Sequence, residues 1–382
     1  MLSKERLRAF LAQDPGNPEL ACQLCDAYIA DAELSDAVEV LSALPPSARE
    51  LPAVSFRISR IDLLFGRYAE AARRLSELVR VAASPATYHD LAFAQLCLHD
   101  LDSASASLAE AEAQFAPSAD HAILAARIAL MRRDYAAADE ALGGALELEP
   151  GHPTVLGLQA LSALDAGDTA RAQSLAEACL RQAPQQHEAL LAAGAIGLYQ
   201  QDVEVASLHF GAALERYPNS GRALSGMGQA WMLRGDPAAA EPLLQHATQV
   251  MPDHIGTWHA LGWLQLLGGR REQAEHSYRQ ALALDRNFAE SHGGVAVTAL
   301  LAGRTDEGHS HLERSLRLDP NCISGRYAQV LWLEAQGQQQ AADTAFAALA
   351  QQGLMAGVAD ATLSATELAR RLKARLTAVV PR

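Results

Sequence analysis

One stretch of the sequence carries a glycine pattern that could do chemistry. In "LLGGRREQAEHSYRQALALDR", from Leu266 to Arg286, a Gly-Gly pair stands between an apolar run and a charged one. Such a pair could form a glycine loop that holds phosphate, followed by a helix whose N-terminus binds the anion. It could instead form a turn between two packed helices. The phosphate loop is disfavoured, because no strand precedes the glycines and no Gly-Lys-Ser/Thr sequence follows them.

The cysteines offer a second possible chemistry. Cys22 and Cys25 form a C-x-x-C motif, which is typical of redox or zinc sites. They fall inside an apolar helical pattern instead of at a helix start after a strand, and no second pair completes a zinc site. We therefore interpret both as packing residues.

Two pairs of histidines lie close enough in the sequence to be candidate metal ligands. His309 and His311 are two residues apart and point to different helical faces, and His254 and His259 straddle a helix start. Neither spacing is that of a metal site. The H-E-x-x-H and G-x-S-x-G motifs and the dinucleotide fingerprint are all absent. We expect no catalytic residue, no metal and no cofactor, and therefore no enzyme.

Composition limits the partners and the compartment. The 382 residues carry a formal net charge of −14, which disfavours nucleic acid because phosphate binding needs clustered Lys and Arg. The N-terminus lacks the apolar core of a secretory leader, and no segment reaches the 18 apolar residues of a membrane span. Five cysteines, an odd number, fit a reducing compartment. We expect a soluble, cytoplasmic protein.

A period of 34 residues organises the elements around these motifs. It separates Gly235, Gly269, Gly303 and Gly337, and eight frames of this length run from Pro85 to Ala356 without insertion. Two further frames precede them, from Pro18 and from Pro52, the second of them one residue short, which makes ten. Within each frame, apolar residues recur every three or four positions in two blocks, and this pattern predicts a helical hairpin with the glycine position in its turn.

Two columns of the repeat predict how the helices pack. Position 20 is small in all ten copies, so two helices must approach closely there. Position 8 is mostly Ala or Gly, whereas position 24 is bulky in most copies, and small against large residues interdigitate in close-packed helices. The residues at position 20 are Ala37, Ala71, Ala104, Ala138, Ala172, Ala206, Ala240, Ala274, Gly308 and Ala342.

These columns resemble the tetratricopeptide repeat family. The repeat "IGTWHALGWLQLLGGRREQAEHSYRQALALDR" matches the family pattern through Trp258, Gly262, Ala274 and Tyr278, and departs from it at Arg286, where the family has proline. The resemblance implies an all-α, right-handed superhelical solenoid of about ten hairpins with a C-terminal capping helix. It covers almost the whole chain.

The domain organisation follows from the frames and the ends. Residues 1–17 are predicted to form an N-terminal capping helix, 18–84 two degenerate repeats, 85–356 eight regular repeats and 357–382 a C-terminal capping helix. Pro45 and Pro46 should cut short the second helix of the first repeat. The last segment begins with a capping box, Ser364 to Glu367, and is basic and amphipathic, so contact with a membrane surface or an acidic partner stays an alternative to a cap.

In this family the first helix of each repeat lines a concave groove, and the resemblance places candidate partner-binding residues there. An N-terminal zone of Arg60, His89, Phe93 and Arg127 suits a carboxylate or acidic segment flanked by apolar groups. A C-terminal zone of Gln229, Met232, His259 and Trp263 suits an apolar or helical ligand, with Trp263 expected to be exposed. Tyr199 occupies position 13 of its repeat.

The resemblance thus implies a non-enzymatic scaffold or adaptor that binds a protein segment or a partner protein. Two alternatives stay open. One is an accessory or regulatory subunit that docks on an enzyme or on secretion machinery, such as a glycosyltransferase or a secretion ATPase. The other is a homo-oligomeric structural scaffold, joined through the degenerate N-terminal repeats.

Overall fold

The fold is built from α-helices throughout the part of the chain that can be described. The structure is a computed structural model, and it describes residues 3–351. Within that range every regular element is a helix, which confirms the predicted all-α solenoid of helical hairpins. The helices belong to two compact units that divide after Ala166.

The N-terminal unit contains eleven of the described helices. They are α1 (Lys4–Gln13), α2 (Pro18–Ala30), α3 (Leu34–Ser42), α4 (Pro46–Arg49), α5 (Pro52–Leu64), α6 (Tyr68–Val81), α7 (Pro85–Cys97), α8 (Leu101–Gln114), α9 (Ala119–Met131), α10 (Tyr135–Leu148) and α11 (Pro153–Asp165).

The C-terminal unit contains the other eleven described helices. They are α12 (Thr169–Gln182), α13 (His187–Tyr199), α14 (Val203–Arg216), α15 (Gly221–Arg234), α16 (Pro237–Val250), α17 (Ile255–Leu267), α18 (Arg271–Leu284), α19 (Ala289–Leu301), α20 (Thr305–Leu318), α21 (Ile323–Ala335) and α22 (Gln339–Gln351).

A first helix begins at every frame start that the period predicts in the described residues, from Pro18 to Ile323. Four of these helices have proline at their first position, where its fixed φ suits the helix and its missing N–H costs nothing. In the first repeat α3 ends at Ser42, and Pro46 starts the short α4. The prolines therefore cut that second helix short, as predicted.

The hairpin turns answer the question posed by the Gly-Gly pair. Gly268 ends α17 at φ −81°, and Gly269 follows it at φ +74°, the left-handed region that terminates helices. Position 15 has a positive φ in all ten described turns, whatever its residue type. The residues are Ala32, Gly66, His99, Arg133, Gly167, Gln201, Gly235, Gly269, Gly303 and Gly337. The pair is a helix-ending turn.

The next residue starts the second helix of several hairpins. In five successive repeats it is an aspartate whose carboxylate accepts a hydrogen bond from the backbone N–H three residues later, at 3.0 to 3.2 Å. These residues are Asp100, Asp134, Asp168, Asp202 and Asp236. A left-handed residue followed by a capping aspartate fixes both ends of the turn.

The position-20 residues lie where two helices touch. Each alanine of the column is completely buried. Beside Ala206 on α14, a Cβ added to Gly197 of α13 would lie 2.8 Å from the Ala206 backbone nitrogen. A larger side chain at either site would force the helices apart, so this column acts as predicted.

The bulky position 24 fills the space that the small positions leave. Phe210 of α14 is buried, and a Cβ on Gly194 of α13 would lie 2.8 Å from its ring. On the other side, a Cβ on Gly226 of the next first helix, α15, would overlap the same ring. One aromatic ring therefore joins two consecutive repeats, and glycine on both sides is what admits it.

The N-terminal helix α1 packs on α2. Leu7 is buried in this contact, Lys4 forms ion pairs with Asp31 and Glu33, and the Arg8 Nε donates to the Tyr28 hydroxyl at 2.6 Å. The predicted C-terminal capping helix, 357–382, lies outside the described residues. None of the helices in residues 3–351 combines the length and the apolar character needed to cross a membrane.

Prediction for the turn. Gly269→Ala should lower the free energy of unfolding by about 1 kcal/mol, because alanine disfavours a positive φ that glycine adopts freely. The matched control is Gly268→Ala, one residue earlier, where φ is already −81°. Urea denaturation of both variants measures the difference. Equal stability of the two variants would show that the left-handed conformation does not set the residue type.

Candidate functional site

The candidate residues all lie on the first helices of the repeats, which leave part of their surface uncovered. The two predicted zones fall in different compact units: the N-terminal zone spans α5, α7 and α9, and the C-terminal zone spans α15 and α17.

In the N-terminal zone, Asp90 links the two basic residues that the sequence analysis selected. Arg60 is exposed on α5, and its Nε lies 3.7 Å from the Asp90 Oδ2 on α7. The His89 Nδ1 lies 3.2 Å from the other Asp90 oxygen. The guanidinium of Arg60 also stands 6.0 Å from the Phe56 ring. The Asp90 carboxylate therefore offsets part of the positive charge that was expected to bind an acidic segment in this zone.

The aromatic residues of the N-terminal zone are only partly open. His89 stacks on His121 of α9 with ring centroids 6.1 Å apart, and the His121 Nε2 donates to the Pro85 carbonyl at 2.9 Å. Phe93 lies one turn beyond His89, with its ring edge-on to Tyr68 at 6.4 Å. Arg127 is partly buried on α9. The zone is a shallow aromatic and basic surface with an acidic residue inside it.

Asp90 belongs to a polar feature that sequence reasoning missed. Position 9 of one repeat pairs with position 6 of the next: Arg60 with Asp90, and Asp26 with Arg57. The Asp26–Arg57 pair is bidentate, with nitrogen–oxygen distances of 3.0 and 2.6 Å. A charged residue at position 6, which is uncharged in the other repeats, was the signal available.

In the C-terminal zone, Tyr278 of α18 contacts two of the predicted residues, Trp263 and His259. Trp263 is partly buried. Its ring packs edge-on against Tyr278, with ring centroids 6.4 Å apart, and at a tilt against Tyr327, with centroids 6.0 Å apart. The expected exposed Trp263 is therefore covered on one side. Like Phe210, the Tyr278 ring occupies space left by glycine: a Cβ on Gly262 would lie 2.7 Å from it. Burial raises the pKa of Tyr278.

His259 is a buried residue of this zone. It is 8% exposed, its Nε2 lies 3.1 Å from the Ser291 hydroxyl, and its ring lies 5.3 Å from Tyr278 and 5.6 Å from Phe288. Burial lowers its pKa to about 4, although Glu290 opposes the shift. The structure places this imidazole in the core, in its neutral form near pH 7.

The remaining residues give the zone a neutral surface. Gln229 is partly buried, and its amide nitrogen donates weakly to Ser225, at 3.3 Å from the hydroxyl. Met232 packs beside Trp231 against the buried Leu244 cluster. Tyr199, at the end of α13, is 76% exposed, the most open of all the candidates. These side chains can offer apolar and aromatic contact area.

The two cysteines of the C-x-x-C motif are packed in the core. Burial raises the pKa of Cys25 to about 12, and Cys22 is also buried. His292 and His311 meet with their Nδ1 atoms 2.9 Å apart. Within residues 3–351, no three His, Cys, Asp or Glu side chains come together as a metal site needs.

Comparison with known proteins agrees with this architecture. Tetratricopeptide repeat family models match residues 4–55, 158–206, 219–287 and 259–322. The chain belongs to the tetratricopeptide repeat family.

Curated relatives match a limited stretch. Cellulose synthase operon protein C of Komagataeibacter sucrofermentans is 33% identical over 129 residues, which cover 31% of this chain and 10% of that protein. A Komagataeibacter xylinus protein of the same description is 32% identical over 129 residues, again 10% of its length. The match thus spans about a tenth of the length of these curated relatives.

Solved structures resemble the chain in fold alone. A monomeric mutant of IFIT1 with Gppp-AAAA has a TM-score of 0.57 at 13% identity, covering 95% of this chain and 91% of that one. The human IFIT1 dimer with m7Gppp-AAAA has a TM-score of 0.51 at 14% identity, covering 92% and 94%.

Prediction for pH. The folded pKa of His259 lies below its ordinary value of 6.5, so the unfolded chain binds the proton more tightly. The stability that this histidine contributes is fully present above pH 6.5, and it is lost as pH falls from there to about 4. The loss is up to about 3 kcal/mol. His259→Gln should flatten the fall in unfolding free energy over this range, measured by urea denaturation, relative to the exposed-site control His276→Gln. An unchanged pH profile would refute the role of His259.

Proposed function

We propose that the protein is a non-enzymatic scaffold or adaptor that binds a partner protein or protein segment on the first-helix faces of its repeats. The observation that carries the proposal is the open apolar surface on those helices, led by Tyr199 at 76% exposure. An exposed tyrosine gives a large contact area at a small cost in conformational entropy, and residues of this type dominate binding energy at protein interfaces. Membership of the tetratricopeptide repeat family supports the same class of function.

A protein partner is favoured over nucleic acid. The net charge of −14 repels phosphate, and in the N-terminal zone Asp90 already engages the exposed Arg60. The likeness to IFIT1 is one of fold at 13% identity, so it does not indicate that this chain binds the same ligand. We also propose a cytoplasmic location, supported by the five free cysteines.

A second candidate function is an accessory subunit that docks on an enzyme. The description of the relatives as cellulose synthase operon protein C favours it, since that name places those proteins beside a glycan-forming enzyme. In this role the same surface would hold a catalytic partner such as a glycosyltransferase, and the chain itself would carry out no chemistry.

Prediction for partner capture. Tagged full-length protein should recover a partner from its native host at near one-to-one stoichiometry. The double variant Tyr199→Ala with Trp263→Ala should weaken capture by about tenfold or more, because truncating aromatic anchors removes about 2 kcal/mol or more of binding energy. Leu208→Ala is the matched control, since Leu208 is 67% exposed on the second helix α14.

Controls and outcomes. Trp263 packs on Tyr278 and Tyr327, so circular dichroism must show that the double variant stays folded at the assay temperature. Equal recovery by the wild type and the double variant, or no stoichiometric partner at all, would contradict the proposed function. If the partner is an enzyme whose rate changes when the chain is added, the accessory-subunit function is the correct one of the two.

A further inference from the structure

Four consecutive repeats in the C-terminal unit have first helices that are uncharged at positions 5 to 13; most of these residues are buried, and Tyr199 and Leu267 are the exposed ones. Positions 5 to 13 of these repeats are residues 191–199, 225–233, 259–267 and 293–301, and they contain no Asp, Glu, Lys or Arg. The same positions of the second repeat, 56–64, contain Arg57, Arg60 and Asp62. We propose that this uncharged face receives an amphipathic helix of a partner protein, which docks through its apolar stripe.

Position 13 supplies the most open apolar residues of this face. We call Tyr199, Leu233, Leu267 and Leu301 the apolar ridge. Tyr199 is 76% and Leu267 46% exposed, whereas Leu233 and Leu301 are partly buried. Successive first helices from α13 to α19 contact one another, so the ridge runs from repeat to repeat. Exposed apolar residues that recur from repeat to repeat are typical of a protein-binding site.

The charges that border the ridge are already paired. Arg234 lies 3.3 Å from Glu204, Arg270 pairs with Glu241, and Arg304 lies 2.6 Å from Glu275. Each arginine follows its ridge residue within three positions and turns toward a second helix of the array. The border is therefore close to neutral, and it complements an apolar stripe better than a charged peptide. Binding should depend little on salt.

The scarcity of free polar groups selects a helix over an extended segment. On this face Gln229 bonds Ser225, His259 bonds Ser291, and Gln265 accepts from Ser277. An extended ligand would cover the face with roughly two backbone polar groups per residue, most of them without a partner, and burying such groups is destabilising. A helix satisfies its own backbone, so it presents side chains alone.

General helix geometry indicates how long such a docking helix would be. Packed helices lie about 8 to 10 Å apart, and seven residues of a helix rise about 10.5 Å. A helix that crosses the first helices therefore brings one apolar residue per heptad over each ridge residue. Covering four ridge residues needs a helix of about 20 residues.

The inference rests on the proposed function, and a peptide selection tests it. A phage-displayed library of random peptides of about 20 residues is selected on the full-length protein. The enriched peptides should carry apolar residues at helical spacing, and their Kd should change less than about twofold between about 50 and about 500 mM NaCl. Tyr199→Glu with Leu267→Glu should weaken binding at least about tenfold. The control pair, Leu208→Glu with Val250→Glu on second helices, should not.

Several results would overturn the proposal. They are no enrichment, enrichment of acidic or proline-rich peptides, or binding unaffected by the ridge substitutions. A chain ending at residue 356 that binds the peptides about tenfold more tightly would assign the ridge to the chain's own C-terminal segment. Light scattering that shows a dimer abolished by the ridge substitutions would assign it to a second copy. A captured partner that ignores the ridge substitutions refutes this inference alone, whereas the absence of any partner refutes the proposed function.

Discussion

Close contact between helices at glycine and alanine positions is the constraint on which the rest of the structure depends. The ring of Phe210 fits between α13 and α15 because Gly194 and Gly226 have no side chain there. Two repeats later, the ring of Tyr278 occupies the space left by Gly262 and Gly294. Where position 24 holds leucine, as in Leu244, position 6 of the next repeat can hold alanine. In these repeats the residue at position 24 and the residue at position 6 of the next repeat are therefore matched in size.

The sequence alone could predict the features that every repeat must share. The frame starts, the hairpin turns and the buried position 20 recur ten times, so chance substitutions in single copies do not hide them. The shortening of α3 was also predictable, because Pro45 and Pro46 cannot continue a helix. Position 15 was recognised through its glycines. Yet His99 and Arg133 adopt the same positive φ, which shows that the stack enforces the turn even where the residue type opposes it.

The candidate site was less predictable, because its residues differ between repeats and depend on their neighbours in space. Arg60 was selected as a free positive charge, but Asp90 on the next first helix pairs with it. His259 occupies a position that the family resemblance assigns to the groove, yet Tyr278 and Phe288 enclose it. Tyr199 was placed on the groove by its repeat position, and it lies 76% exposed at the end of its helix.

The regular core leaves the first-helix faces free to carry different chemistry in the two compact units. In the N-terminal unit, positions 9 and 6 of neighbouring repeats hold the ion pairs Asp26–Arg57 and Arg60–Asp90, whereas in the C-terminal unit position 6 holds alanine or glycine. The first arrangement gives a polar surface and the second a neutral, apolar one.

The most direct test of the packing constraint is a double-mutant cycle of Gly226→Ala and Phe210→Leu, followed by urea denaturation. With Phe210 present, the added methyl overlaps the ring, and Gly226→Ala should destabilise the protein by about 1 to 3 kcal/mol. The Phe210→Leu background recreates the Leu–Ala pairing of other repeats. In it, Gly226→Ala should be neutral or stabilising, because the helix propensity of alanine exceeds that of glycine by about 1 kcal/mol. An equal effect of Gly226→Ala in both backgrounds would contradict the claim that small and large positions set the spacing of the repeats.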